Sequence, residues 1–293
     1  MTALPAVYAS TTWLPGLQTD LSAALEGLAS LGLDGVEIGS THCYRDWRET
    51  KTMIREAWSG PIVTHNYFPP ASQDMVINIA SADEAVRKAS VAHAQHCLRC
   101  AAELGATLYT VHPGFLANAS ASTSGRPGAY DFSFSGERSD RDQAFYRMLR
   151  SLETLTAEAE ALDIRLAVET EGSLTSEGVL LLEQPSEYER LFDAFDGSLW
   201  LNFNLAHSTL ASISHGFDLA EFIACWGHRF AACELSHNDR HFDQHQPLEP
   251  GSWVLDWLDR LPEGAILILE FRDATPDRVA LGARLVRERL AAA

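Results

Sequence analysis

The chain has 293 residues, of which 22 are Lys or Arg and 40 are Asp or Glu, giving a formal net charge of −18, and 46% are hydrophobic. At this length that apolar share supports a core without disulfides or structural metals and excludes wholesale disorder. The acidic balance excludes a general electrostatic grip on nucleic acid phosphates, which needs clustered cations, but leaves metal ions and small polar ligands open.

Taken in chain order, short apolar runs alternate with longer amphipathic ones. Residues 6–10 predict a strand and 21–31 a helix. Strand and helix then follow at 35–38 and 45–57, 62–65 and 82–104, 107–112 and 140–162, and 165–169 and 186–195. The series continues at 199–203 and 219–226, 230–235 and 252–261, and 266–271 and 276–290. The strands are rich in Val, Ile, Leu and aromatics without alternation, the pattern of parallel strands buried on both faces. Ser81-Ala-Asp-Glu84 predicts a capping box, Gly32 and Gly105 helix ends, and Pro276 a first helical turn. Eight such units predict a (β/α)8 TIM barrel, an α/β fold, and with no shift in composition residues 1–293 are expected to form one domain. The one long irregular stretch, 115–136, follows the fourth strand and would lie over the active-site face.

No apolar run approaches the roughly 20 residues of a membrane span. Residues 1–6 show no basic stretch leading into an apolar one, so no secretory signal is expected. Five irregularly spaced cysteines argue against a disulfide framework. Cytoplasmic location follows, with neither a membrane nor a nucleic acid as partner, and a homo-oligomer is left open. Cys97-x-x-Cys100, with His93 and His96 beside it, falls inside a helical pattern and reads as packing, not as a zinc or redox motif. Phosphate-binding glycine loops and a Gly-x-Ser-x-Gly elbow are absent from the sequence.

In a barrel the C-terminal ends of the strands surround the active site. Here they read His65, His112, Glu169, Asn202-Phe-Asn204 running on to His207, Glu234-Leu-Ser-His237, and Glu270-Phe-Arg272, with Asp243 and His245 in the loop after the seventh strand. One histidine at a strand end is ordinary. Six successive ends carrying imidazole, carboxylate or amide are hard to explain as packing, because converging carboxylates repel unless a cation neutralises them. Mixed His, Asp and Glu donors suit Zn²⁺ or Mn²⁺ better than Mg²⁺ or Ca²⁺. A divalent metal is therefore expected, its number left open. Glu37 ends the second strand, and Trp13, Tyr67 and Phe68 follow the first and third as candidate sugar-stacking aromatics. His42 lies in the loop after the second strand.

These residues carry a resemblance. His65-Asn-Tyr, Ile77-Asn-Ile-Ala-Ser81 and His112-Pro-Gly, spaced by a long helix, resemble the endonuclease IV pattern within the xylose isomerase-like TIM-barrel superfamily, which also holds sugar isomerases and epimerases. The resemblance implies three ligand groups: His65, His112 and Glu169; a deeper set of Glu169, Asn204, Glu234 and Glu270; and His207, Asp243 and His245. Two positions depart from the family pattern, Asn204 standing where Asp is usual and Glu234 where His is usual. His65-Asn-Tyr-Phe-Pro-Pro, Glu234-Leu-Ser-His-Asn-Asp and Asp243-x-His245 also resemble a branch associated with bacterial surface-polysaccharide biosynthesis.

The resulting expectation is a metal-dependent sugar isomerase or epimerase. Glu169 and Glu270 would remove and return a proton beside a carbonyl, with Glu37, Tyr67, His237 and Arg272 facing a small sugar substrate. The alternatives are an endonuclease IV-like multi-metal phosphodiesterase acting on a small phosphorylated substrate, and a non-catalytic sugar-binding barrel.

Overall fold

The computed structural model describes residues 5–16, 19–72, 75–123, 130–135, 137–174, 178–195 and 197–292. Eight parallel strands close into a barrel. They are β1 (Val7–Ser10), β2 (Gly35–Ile38), β3 (Ile62–His65), β4 (Leu108–Val111), β7 (Arg165–Glu169), β8 (Leu199–Asn204), β9 (Phe230–Leu235) and β10 (Ile266–Leu269). Strand β1 pairs with both β2 and β10, which closes the ring. The helices are α1 (Leu21–Leu28), α2 (Trp47–Ala57), α3 (Glu84–Leu104), α4 (Arg141–Ala161), α5 (Pro185–Ala194), α6 (Leu205–His215), α7 (Leu219–Trp226) and α8 (Pro276–Ala291). The expected (β/α)8 architecture is therefore present.

The differences are local. Within the stretch expected to be irregular, β5 (Asn118–Thr123) and β6 (Tyr130–Ser135) form an antiparallel hairpin. Helix α6 follows β8 without an intervening turn and precedes α7, so this unit has two helices. The expected helix at 252–261 is a 3₁₀ segment, Trp253–Arg260. The Ser81–Glu84 capping box does not form. Asp83 is the cap, accepting from the Ala85 and Val86 N–H groups at 2.8 and 3.3 Å, while the Ser81 hydroxyl is given to Asn118 Oδ1 at 2.8 Å. Gly105 closes α3 at φ +76°, as expected, whereas α1 stops short of Gly32.

Strand alternation produces two apolar layers. Val7, Val36, Leu201, Cys233, Leu267 and their neighbours meet the helices, whereas Tyr8, Val63, Leu108, Ala167, Ala232 and Ile268 pack together inside the barrel. Tyr8 lies so close to β2 that a Cβ on Gly35 would be 2.3 Å from the Tyr8 ring, so only glycine admits this packing. Side chains two residues on along a strand share a face. Val63 therefore leads to His65, Ala167 to Glu169, Ala232 to Glu234 and Ile268 to Glu270. The apolar inner layer is the floor on which these four polar side chains stand.

Candidate metal centre at the mouth of the barrel

The first group joins three neighbouring strands. His65 Nε2 lies 2.9 Å from Glu169 Oε2, His112 Nε2 lies 3.2 Å from the same oxygen, and the two ring nitrogens are 3.2 Å apart. The outer nitrogens are engaged elsewhere: His65 Nδ1 is 3.2 Å from Glu234 Oε1 and 3.6 Å from Glu37 Oε2, and His112 Nδ1 is 2.5 Å from Glu171 Oε1. In the ion-binding state, with each ring neutral and its Nδ1–H directed to a carboxylate, two Nε2 lone pairs and one carboxylate oxygen would face a common point. Three acceptors cannot satisfy one another, and Glu169 Oε2 has no hydrogen-bond partner. Ligands held about 2.0–2.2 Å from one Zn²⁺ lie roughly 3 Å from each other, so a divalent ion fits this triangle. Carboxylates behind ligating imidazoles are the usual means of fixing ring orientation.

The second group repeats the design on the other side. His207, at the start of α6, and His245, in the loop after β9, place their Nε2 atoms 3.1 and 2.8 Å from Asp243 Oδ2. His207 Nδ1 faces the Thr170 carbonyl at 3.2 Å, and His245 Nδ1 faces Glu270 Oε2 at 3.0 Å. Candidate ligand atoms within each of the two triads lie within 4.8 Å of one another, as do those of Glu37, His65 and Glu234.

Between the triads lies a carboxylate floor with a different logic. Asn204 Nδ2 is 3.0 Å from Glu169 Oε1, 2.8 Å from Glu234 Oε2 and 3.4 Å from Glu270 Oε2. Its Oδ1 accepts the His207 N–H at 3.1 Å as the cap of α6. Asn202 Nδ2 donates to the other Glu234 oxygen at 2.6 Å. The deeper set expected from the sequence is thus brought together, but around a hydrogen-bond donor.

Electrostatics follow this geometry. Burial alone would lower the four histidines, but their carboxylate neighbours outweigh it. Glu234, Glu37 and Glu169 hold His65 well above its ordinary value, Glu169 and Glu171 raise His112, Asp243 and Glu169 raise His207, and Asp243 with Glu270 carries His245 to about 10. Burial opposes ionisation of Glu169 and Glu270, yet His112 and His65 depress Glu169 and His245 takes Glu270 to about 2. Glu234 goes the other way: burial, then Glu169 and Glu270, push it well up. In the metal-free chain, protons on the rings take the part of the cations.

The remaining expected residues divide. Glu37 is buried against His65, with neither oxygen hydrogen-bonded. Arg272 Nη2 lies 3.7 Å from Glu270 Oε1, at the edge of the floor. His237 is farther along, pairing its backbone with Gln246 and tilting against Trp253. The Tyr67 hydroxyl accepts the Ile77 N–H at 2.8 Å. Trp13 and Phe68 belong to the core, not to an aromatic wall. His42 is closed off between Thr11 and Thr19 at 2.7 and 2.9 Å, and burial holds it near 4, hence neutral. Cys97 and Cys100 are buried in α3, each beside a histidine one turn earlier. Sequence reasoning missed Glu171 and named Asn202 at its strand end without giving it a role. The signal was periodicity: both lie two positions from an assigned residue, Glu171 after Glu169 and Asn202 before Asn204.

The sequence profile of the xylose isomerase-like TIM barrel family matches residues 25–289. No curated protein matches the chain. Among solved structures, the chain is similar to a D-tagatose 3-epimerase-like protein, at 18% identity and TM-score 0.74 over 98% of this chain and 97% of that one. It is also similar to the TTHB071 protein of Thermus thermophilus, solved after soaking with ZnCl2, at 20% identity and TM-score 0.65 over 97% and 98%. A third is a family 2 AP endonuclease from Brucella melitensis, at 14% identity and TM-score 0.67 over 96% and 99%. Likeness at these identities is likeness of fold, whereas the profile spans most of the sequence. The chain belongs to the xylose isomerase-like TIM barrel family.

Proposed function

We propose that the chain is a metal-dependent isomerase or epimerase of a small sugar or sugar derivative, acting in the cytoplasm with Zn²⁺ or Mn²⁺. One observation carries this reading: Glu169 and Glu270, from β7 and from just past β10, converge from two sides on the Asn204 amide at 3.0 and 3.4 Å. Both are held ionised by neighbouring histidines, the state a proton acceptor needs. A divalent ion on the histidine triads supplies Lewis-acid polarisation of substrate oxygens when bound. Its ligands in this reading are His65, His112 and Glu169, and His207, Asp243 and His245. Glu169 and Glu270 take and return the proton beside the carbonyl. Glu37, Tyr67, His237 and Arg272 face the sugar, with the Arg272 guanidinium beside Glu270 holding that carboxylate in its charged form. The epimerase-like neighbour supports the substrate class.

The two complete triads favour one second reading, hydrolysis of a small phosphorylated substrate, because paired metal sites activate water and stabilise a phosphoryl transition state. Turnover in deuterated water separates the two. With a panel of ketoses and the Mn²⁺- or Zn²⁺-loaded enzyme, deuterium entering a sugar C–H is the expected result. Cleavage of small phosphodiesters to an alcohol and a phosphomonoester, with no such incorporation from any sugar, would overturn the isomerase reading in favour of the hydrolase.

A further inference from the structure

We infer that the Asn204 side-chain amide takes the place of a cation among Glu169, Glu234 and Glu270, so that the loaded chain carries one divalent ion on each histidine triad and none on the carboxylate floor. The total of two rests on the reading of the triads as ion sites. The absence of an ion from the floor rests on Asn204 alone.

The amide orientation is fixed from both ends. The His207 N–H can only donate, so the atom it meets at 3.1 Å is the oxygen. The other end of the amide is then the nitrogen, which donates toward the Glu169, Glu234 and Glu270 oxygens at 3.0, 2.8 and 3.4 Å. Turning the amide over would set donor against donor at the helix cap and acceptor against acceptor at the floor. Asn204 also has no room to swing aside, being fully buried where β8 ends and α6 begins. An amide nitrogen has its lone pair delocalised into the carbonyl and carries two hydrogens, so it is a donor and not a metal ligand. Asn202 reinforces the arrangement by donating to Glu234 at 2.6 Å. His65 Nδ1, 3.2 Å from the same Glu234 oxygen, ties that carboxylate to the back of the first triad. The oxygens an ion would need are already engaged by donors built into the chain.

Asn204→Asp tests this. Asp caps helices about as well as Asn, so one oxygen still accepts from His207 N–H while the donor facing the floor becomes an acceptor. Metal is counted per chain by equilibrium dialysis against saturating Zn²⁺ and elemental analysis, alongside thermal unfolding of metal-free and loaded protein. The expected result is two ions in the wild type and three in the variant. Metal-free variant should melt below metal-free wild type and gain more on loading. A third ion in the wild type, or a folded variant that gains none, overturns the inference. Should the metal-free variant not fold, Glu234→Gln in the wild-type background decides: the count stays at two if the amide fills the floor and falls by one if an ion does. A wild type that binds no ion sinks the reading of the triads, while the gain of one ion in Asn204→Asp still reports on the floor.

Discussion

The two histidine triads and the carboxylate floor between them are built from the same kinds of side chain and satisfy them in opposite ways. In each triad the Nε2 atoms and a carboxylate oxygen converge as acceptors, and the Nδ1 atoms are committed outward to Glu234, Glu171, Thr170 or Glu270. On the floor three carboxylates converge too, but the amides of Asn204 and Asn202 supply donors. The triads reach the surface, His112 being 24% and Asp243 33% exposed in their side chains, whereas Glu169, Glu234 and Asn204 are almost wholly buried. Requirement for a cation therefore follows from the balance of donors and acceptors around a point, not from the number of carboxylates there.

The largest loss is expected from Glu169→Gln, since Glu169 gives one oxygen, Oε2, to the first triad and the other, Oε1, to the floor. Turnover should fall about 10²–10⁴-fold, the span of a lost acid–base group, while far-ultraviolet circular dichroism stays that of the wild type. Full turnover with the physiological substrate would remove Glu169 from the site. Glu171→Gln should be smaller and weighted to the first triad, because Glu171 lies 2.5 Å from His112 Nδ1 but 3.9 Å from His207 Nδ1: Zn²⁺ affinity at His65–His112 drops about 10–100-fold, the usual cost of losing a carboxylate behind a ligating imidazole. Competition titration with a chromophoric chelator would detect it, and an equal loss at both triads would contradict the geometry.

The smallest effect is on stability against pH in the metal-free protein. His245 is raised from 6.5 to about 10, so its contribution is complete below pH 6.5 and is lost as pH climbs through about 10. Glu270 is lowered from 4.5 to about 2, so its contribution is complete above pH 4.5 and is lost as pH falls through about 2. Both contributions are complete between pH 4.5 and 6.5, while the raised Glu234 removes stability as pH rises above 4.5, so the melting temperature should be highest toward the acid side of that window. Zinc should flatten the alkaline limb, because the ion needs no proton on His245 Nε2. An alkaline limb unaltered by zinc would place the ion elsewhere.

Most of the barrel was legible because parallel strands buried on both faces must be continuous apolar runs, and because the residue two beyond an inward apolar one must face the mouth. What escaped was what breaks those rules. The β5 run Asn118–Thr123 is largely Ser and Ala and carries no strand signal, although β6 does alternate, Tyr130, Phe132 and Phe134 against Asp131, Ser133 and Ser135. Trp253–Arg260 has an amphipathic spacing that does not distinguish a 3₁₀ from an α-helix. Helix α6 was missed because no turn residue separates it from β8, Asn204 being both the last residue of the strand and the cap of the helix. That omission matters most at the site. Read as a strand end alone, Asn204 looks like a weakened ligand. Once α6 is known to begin there, its oxygen is committed to the helix and its nitrogen to the floor. Glu171 escaped for a related reason, since its role is fixed by the far nitrogen of a histidine from another strand.

The packing of Tyr8 over Gly35 has a consequence for traffic through the molecule. With that ring, Val63, Leu108, Ala232 and Ile268 filling the barrel below the polar side chains, the described residues leave no way through the barrel axis beneath the site. Ions, water and substrate therefore reach these side chains from the mouth of the barrel.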